Sequence, residues 1–243
     1  MKRVALLLAL SWSGASFGGT TANIGAVSEY MLRGIEGSGG TALQGGIDWT
    51  GERGGYAGTW ASNTGGPAAA GATEIDFYGG WAGRIGSATL DVGAVYYFYT
   101  EDEEDLGLDY DYPEVYAKAG LGGFTLQLYY ATNFFGDANE AAANLAGEGN
   151  DGLYVNALGT FAISPTLNLG VQIGHSSGAG VEVAWGDSYA DYSVALTKTL
   201  EGGLSFSFGL YDTTLKAGQG FGTLPSGDDE PKAVIGVKKT FDL

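Results

Sequence analysis

The sequence contains no cysteine, which removes disulfides, thiol catalysis and cysteine-based zinc sites together. Its single histidine, His175, leaves no imidazole cluster for a metal and little scope for a histidine-centred triad. Beyond the N-terminus no apolar run approaches about 20 residues, so no helix is expected to cross a bilayer. Basic residues are scarce: 11 Lys and Arg stand against 28 Asp and Glu, a formal net charge of −17. That sign repels phosphate backbones and argues against nucleic acid as a partner. The stretch Gly34-Ile35-Glu36-Gly37-Ser38-Gly39-Gly40 is glycine-rich, but neither a lysine nor a helical pattern follows, so the phosphate-loop mechanism is missing. No cofactor and no metal are expected.

What is abundant is glycine, at 44 residues, and tyrosine, at 15; together they favour strands, tight turns and barrel walls over a soluble α/β enzyme. The first residues read as an export signal. Lys2 and Arg3 precede the apolar Val4 to Leu10, and the small residues of Ser13-Gly14-Ala15 or Ser16-Phe17-Gly18 offer cleavage contexts. Residues 1–18 are therefore expected to be a signal peptide and 19–243 a single domain. The acidity of that domain suits passage through an aqueous compartment before insertion.

The informative pattern is alternation. In Thr73 to Arg84, Ile75, Phe77, Gly79 and Trp81 share one face, and Glu74, Asp76, Tyr78 and Gly80 the other. Thr89 to Tyr99, Pro165 to Ser176 and Gly202 to Thr213 alternate in the same way. Period two over this length signals strands, and the length matches the ~9–11 residues of a tilted transmembrane strand. Twelve segments emerge, at about 22–33, 41–50, 55–63, 73–84, 88–100, 110–120, 123–134, 151–163, 166–175, 188–199, 203–213 and 232–243. Every second connection between them is long, and the long ones carry most of the acidic and small residues. A transmembrane, antiparallel, up-and-down all-β barrel of about 12 strands has this asymmetry, because its inner turns are short and its outward loops long.

The C-terminal stretch Ala233 to Leu243 alternates apolar residues and places Phe241 near its end, resembling the strand by which the barrel-assembly machinery recognises outer-membrane proteins; Lys239 interrupts its apolar face. Ala22-Asn23-Ile24-Gly25-Ala26-Val27-Ser28-Glu29-Tyr30-Met31-Leu32-Arg33-Gly34-Ile35 resembles the first strand of the TorF-type family of proteobacterial porins. Gly55 to Asn63, Glu74 to Gly80 and Val237 to Leu243 are similar to the same family. The resemblance implies an outer-membrane barrel with a porin function and assigns no catalytic residue.

With the polar face turned inward, the lumen is expected to collect Glu29, Arg33, Asp48, Glu74, Asp76, Asp91, Glu114, Lys118, Asp191 and Lys238, since charges facing lipid at mid-depth are costly. Seven acids against three bases would favour cations; alternatively the charges close into a plug of salt bridges. The aromatics Tyr96, Tyr97, Phe98, Tyr99, Tyr110, Tyr112, Tyr129, Tyr130, Phe134 and Phe135 are expected to form an interfacial girdle, with a sugar-stacking track as the alternative. Trp49, Trp60 and Trp81 fall on the outward parity. The acidic runs Glu101-Asp102-Glu103-Glu104-Asp105 and Asp228-Asp229-Glu230 lack the spaced ligands and turning glycine of a calcium loop and read as solvated loop tips. His175 and Ser176 are adjacent on a strand and point to opposite faces, which disfavours a hydrolase.

The expectation is thus a channel in the bacterial outer membrane for passive diffusion of small hydrophilic solutes, with a mild cation preference. Its partners would be outer-membrane lipid, lipopolysaccharide and, during biogenesis, the assembly machinery; the oligomeric state is left open. Alternatives from other classes are a sealed structural or adhesive barrel with acidic outer loops, a membrane enzyme and a soluble β-sandwich.

Overall fold

The computed structural model describes residues 18–65, 73–100, 109–216 and 230–243. The segment expected to be a signal peptide, apart from Gly18, and the acidic runs, apart from Glu230, lie outside these residues. Twelve antiparallel strands close into a barrel: β1 (Gly19–Val27), β4 (Ala42–Thr50), β5 (Gly55–Asn63), β6 (Thr73–Ile85), β7 (Ala88–Tyr99), β8 (Tyr112–Leu121), β9 (Phe124–Ala131), β10 (Gly152–Ser164), β11 (Leu167–Ser177), β12 (Tyr189–Thr199), β13 (Leu204–Thr213) and β14 (Lys232–Asp242). Neighbours in sequence pair with one another, and β1 completes the ring against β14 from Thr21↔Asp242 to Val27↔Gly236. The expected strand number and topology are both observed. Closure leaves no edge, so each strand's backbone finds partners on both sides; in lipid an unpaired group costs several kcal/mol.

Alternation sets the two faces. Ile24, Ile47, Phe77, Leu126, Phe208 and Ile235 are exposed on the outside although large and apolar, a distribution that only a nonpolar solvent accommodates. Aromatics mark both rims of this band. Tyr96, Phe98, Tyr130 and Tyr192 lie exposed near the long loops, and Trp49, Trp81, Phe124 and Phe161 near the short turns. The indole of Trp81 donates to the Arg53 carbonyl at 2.9 Å, and Phe124 meets Phe161 edge-on at 5.7 Å. Lys239 faces outward but lies beside the rim, where its ammonium donates to the Gly202 carbonyl, so it snorkels out of the apolar band.

The first expected strand, 22–33, needs correction. The wall strand ends at Val27, and the chain then folds into a small hairpin of β2 (Met31–Leu32) and β3 (Ile35–Glu36). Arg33 and Gly34 form its two-residue turn with φ of 50° and 80°, the pair of positive values that a type I′ turn demands. Gly34 tolerates that conformation at no cost; for Arg33 it costs roughly 1–2 kcal/mol, which its side-chain contacts must offset. Two of the long loops are also structured. α1 (Gly136–Ala146) and α2 (Ala179–Trp185) pack together. Asn139 clamps them: its amide donates to Asn150 Oδ1 at 2.6 Å and to the Gly180 carbonyl at 2.9 Å.

The two faces predict opposite tolerance. Phe208→Arg, at mid-strand on the lipid side, should lower unfolding free energy by about 2–4 kcal/mol. Ser207→Thr, its lumen-facing neighbour, should change it by less than about 0.5 kcal/mol. Urea titration of protein folded into lipid vesicles measures both, and equal losses would contradict the assigned faces.

Candidate functional site

The site is the lumen, and its two halves are built differently. Strands β7 to β10 send in large groups: Tyr97, Tyr112, Tyr116, Tyr129 and Tyr154 are all buried. Strands β12, β13, β14, β1 and β4 send in small ones, among them Asn23, Gly25, Ala195, Thr197, Ser205, Ser207 and Gly236. Beside these small residues lies a cavity of about 110 Å³, lined also by Tyr30, Trp60, Asp76 and Tyr78. The barrel is thus filled on one side and open on the other.

Eight of the ten residues expected in the lumen, all but Glu29 and Arg33, are buried or half-buried at wall-strand positions that alternate with more exposed neighbours. Glu29 and Arg33 arrive differently, carried in by the connection after β1 and not by the wall. The Arg33 guanidinium makes a two-pronged ion pair with Glu114, at 2.9 Å and 2.5 Å, and lies over the rings of Tyr154 (4.6 Å) and Tyr129 (5.3 Å). Fork-on-fork geometry with flanking π faces is the arrangement in which a guanidinium tolerates desolvation. Lys118 pairs with Asp91 at 3.6 Å and sits 4.5 Å from the centre of the Tyr116 ring. Lys238 borders the open cavity near Asp48.

Tyrosine hydroxyls satisfy most of the carboxylates. Glu74 accepts from Tyr30 (2.7 Å) and Tyr99 (2.8 Å), and Glu114 from Tyr97 (3.0 Å). Asp91 accepts from Tyr56 (2.5 Å), Asp48 from Tyr78, and Asp191 from Tyr154 and Gln172, both at 3.2 Å. Glu29 accepts from the Ser38 amide (3.1 Å) and hydroxyl (2.7 Å). Asp76 departs from this pattern. Its Oδ1 is buried without a hydrogen-bond partner, and among the described residues nothing donates to it.

At the outer end the hairpin meets the helices. Ile35, Phe134, Phe135, Trp185 and Tyr189 pack into one buried cluster with Tyr112. Tyr112 stacks on Tyr97 at 4.8 Å and meets Phe134 and Phe135 edge-on. Hence the expected girdle holds only in part. Tyr96, Phe98 and Tyr130 lie outside, whereas Tyr97, Tyr99, Tyr112, Tyr129, Phe134 and Phe135 are buried inside and Tyr110 packs against them. Consecutive aromatics on a strand must alternate between faces, so one run supplies both populations. Trp60 is likewise corrected: it shares the inward face of β5 with Ser62 and meets the Tyr30 ring at a tilt, with centroids 5.3 Å apart. His175 is exposed outside and Ser176 buried inside, so they do not form a catalytic pair.

The family profile of a bacterial protein of unknown function, Gcw_chp, matches residues 12–241. The chain belongs to the Gcw_chp family. No curated protein matches it. Among solved structures, a NanC porin superposes with a TM-score of 0.57 at 11% identity, over 92% of this chain and 100% of that one. A KdgM porin gives 0.56 at 8% identity, over 91% and 99%. An outer-membrane channel from Pseudomonas putida F1 gives 0.53 at 12% identity, over 95% and 97%. At such identities the likeness is one of fold: this Gcw_chp protein has the closed 12-stranded barrel of outer-membrane porins.

Because Glu114 alone meets both prongs of Arg33, Glu114→Ala should cost the hairpin about 3–5 kcal/mol of docking, leaving a buried guanidinium without its anion. Hydrogen exchange at the Gly37 amide, which closes the hairpin on the Tyr30 carbonyl at 2.7 Å, should then accelerate sharply while the β12–β13 amides stay protected. Unchanged protection at Gly37 would mean that the pair does not hold the hairpin.

Proposed function

We propose that this Gcw_chp protein is an outer-membrane channel through which small hydrophilic solutes diffuse passively, with a mild preference for cations. The observation that supports it is the open half of the lumen. A barrel whose interior served only as a core would be filled to native density by large apolar side chains. Here serine, threonine, asparagine and glutamine side chains, with Gly25 and Gly236, border an unfilled space of about 110 Å³. The likeness in fold to porins and the export signal expected over residues 1–18 support location in the outer membrane, and the TorF-type resemblance supports the same activity. Seven inward acids against three inward bases support the cation preference. A KdgM porin has been solved in complex with disordered oligogalacturonate; that ligand is a polyanion, and the charge of this lumen favours solutes of the opposite sign.

A second reading, a sealed structural or adhesive barrel, draws on the packed outer cluster of hairpin and helices. Lipid and lipopolysaccharide surround the barrel under either reading. Single-channel recording in a planar bilayer separates the two. Stable steps with a cation-selective reversal potential are expected, and Ser207→Trp, aimed into the open half, should cut the conductance several-fold while Ser193→Ala leaves it near wild type. Silence from correctly folded, heat-modifiable protein would leave the sealed barrel.

A further inference from the structure

We propose that the outer end of the open cavity is a binding site for an organic ammonium group, built by Asp76 with the rings of Trp60, Tyr30 and Tyr78. The inference deepens the channel reading by naming a solute class, and it rests on that reading only for how the solute arrives.

Three observations carry it. Asp76 is 2% exposed, its Oδ1 is buried with no partner and its carboxylate receives no hydrogen bond among the described residues. The other six inward carboxylates each have at least one hydroxyl, amide or cation partner, although Asp191 also keeps a buried, unpartnered Oδ2. An unpartnered buried carboxylate costs far more than a paired one, so something that binds there is strongly favoured. Secondly, the site is placed to receive a ligand: Asp76 lines the open cavity with all three rings. Thirdly, those rings converge on it. Trp60 is directly opposite Asp76 in the β5–β6 ladder, where inward side chains start about 4.5–5.5 Å apart. Tyr30 meets Trp60 at a tilt and is fixed in place by Glu74, two residues from Asp76 on the same face. Tyr78 lies two residues the other way, its hydroxyl turned to Asp48.

The donor set decides the ligand's chemistry. A hard divalent ion needs six or more oxygens, and among the described residues no group of three His, Cys, Asp or Glu side chains could hold a metal. One carboxylate among π faces instead suits a soft, bulky cation. Its charge meets Asp76, and its alkyl groups meet the indole and phenol faces, the combination by which proteins bind alkylammonium ions. Two of the protein's own inward cations are committed elsewhere, Arg33 to Glu114 and Lys118 to Asp91, and the third, Lys238, borders the same cavity near Asp48.

Isothermal titration calorimetry of the folded barrel in detergent, with choline and its neutral isostere 3,3-dimethylbutan-1-ol, tests this directly. Choline is expected to bind with one site, at least about tenfold more tightly than the isostere, and to compete only weakly with potassium. Asp76→Asn, which keeps the shape, should weaken choline about tenfold or more, and Trp60→Leu several-fold; heat-modifiable migration checks that each variant is folded. Equal affinity for choline and the isostere in the wild-type protein would overturn the proposal, as would an unchanged affinity in folded Asp76→Asn. Conductance is recorded separately. A barrel that binds choline but never conducts keeps the site and loses the channel, and one that conducts without binding choline does the reverse.

Discussion

Every other feature of the protein follows from the closing of β1 on β14. A bilayer offers no hydrogen bonds, so a spanning sheet must pair its first strand with its last or leave a row of N–H and C=O groups bare. Once the ring closes, the register of each strand is no longer free. A slip of one residue would turn Ile24, Ile47 and Phe208 into the lumen and carry Asp48, Asp76 and Glu114 to the lipid. Closure and charge burial therefore enforce one another. The ladder fixes which residues point inward, and the cost of a charge in lipid fixes the ladder.

Closure also creates the problem that the lumen solves. Placing seven carboxylates inside one barrel costs desolvation and mutual repulsion. Two of the three bases remove one charge each, through the ion pairs to Glu114 and Asp91. Most of what remains is met by tyrosine, whose hydroxyl donates to a carboxylate while its ring fills volume. That dual capacity explains why the bulky half of the barrel is made of tyrosine and not of phenylalanine or leucine. Glu74, held by Tyr30 from the hairpin and Tyr99 from the wall, shows the further consequence that these bonds also tie the inserted segment to the barrel.

The wall was legible in the sequence because period two is a local signal, and twelve stretches of it could be counted without knowing the partners. The assignment of Asp48, Glu74, Asp76, Asp91, Glu114, Lys118, Asp191 and Lys238 to the lumen needed only that parity. What escaped was any feature where the chain leaves the ladder. Alternation runs from β1 through Ser28 to Arg33 with no break in composition, yet the backbone turns inward at Ser28. The deciding contact, Arg33 with Glu114, joins residues far apart in sequence. One clue was present: Arg33-Gly34 between Met31-Leu32 and Ile35-Glu36 fits a type I′ turn. The α1 helix had a clue as well, in the alanine-rich Asn139 to Ala146, which favours helix over loop. Trp60 was misplaced because β5 alternates small residues on both faces, so that only its pairing with Gly46 and Asp76 reveals its side.

The inserted hairpin gives the lumen's asymmetry a physical cause. It enters beside β1 and reaches across to β8, where Glu114 waits, and it is tied back to β14 by Lys232 with Glu36 at 2.9 Å. Its strained Arg33 turn is tolerable only where π faces and a carboxylate receive the guanidinium, so β8, β9 and β10 must supply Glu114, Tyr129 and Tyr154 together. Those bulky groups then occupy one side of the barrel at the depth the hairpin reaches. The strands on the other side meet the hairpin only near their outer ends, at Asp191, Thr213 and Lys232, and carry serine, threonine and glycine along the cavity. On this argument the open space is a consequence of where the hairpin is anchored: moving the anchor would move the opening, and removing it would leave a tyrosine wall with buried acids and one cation fewer to balance them.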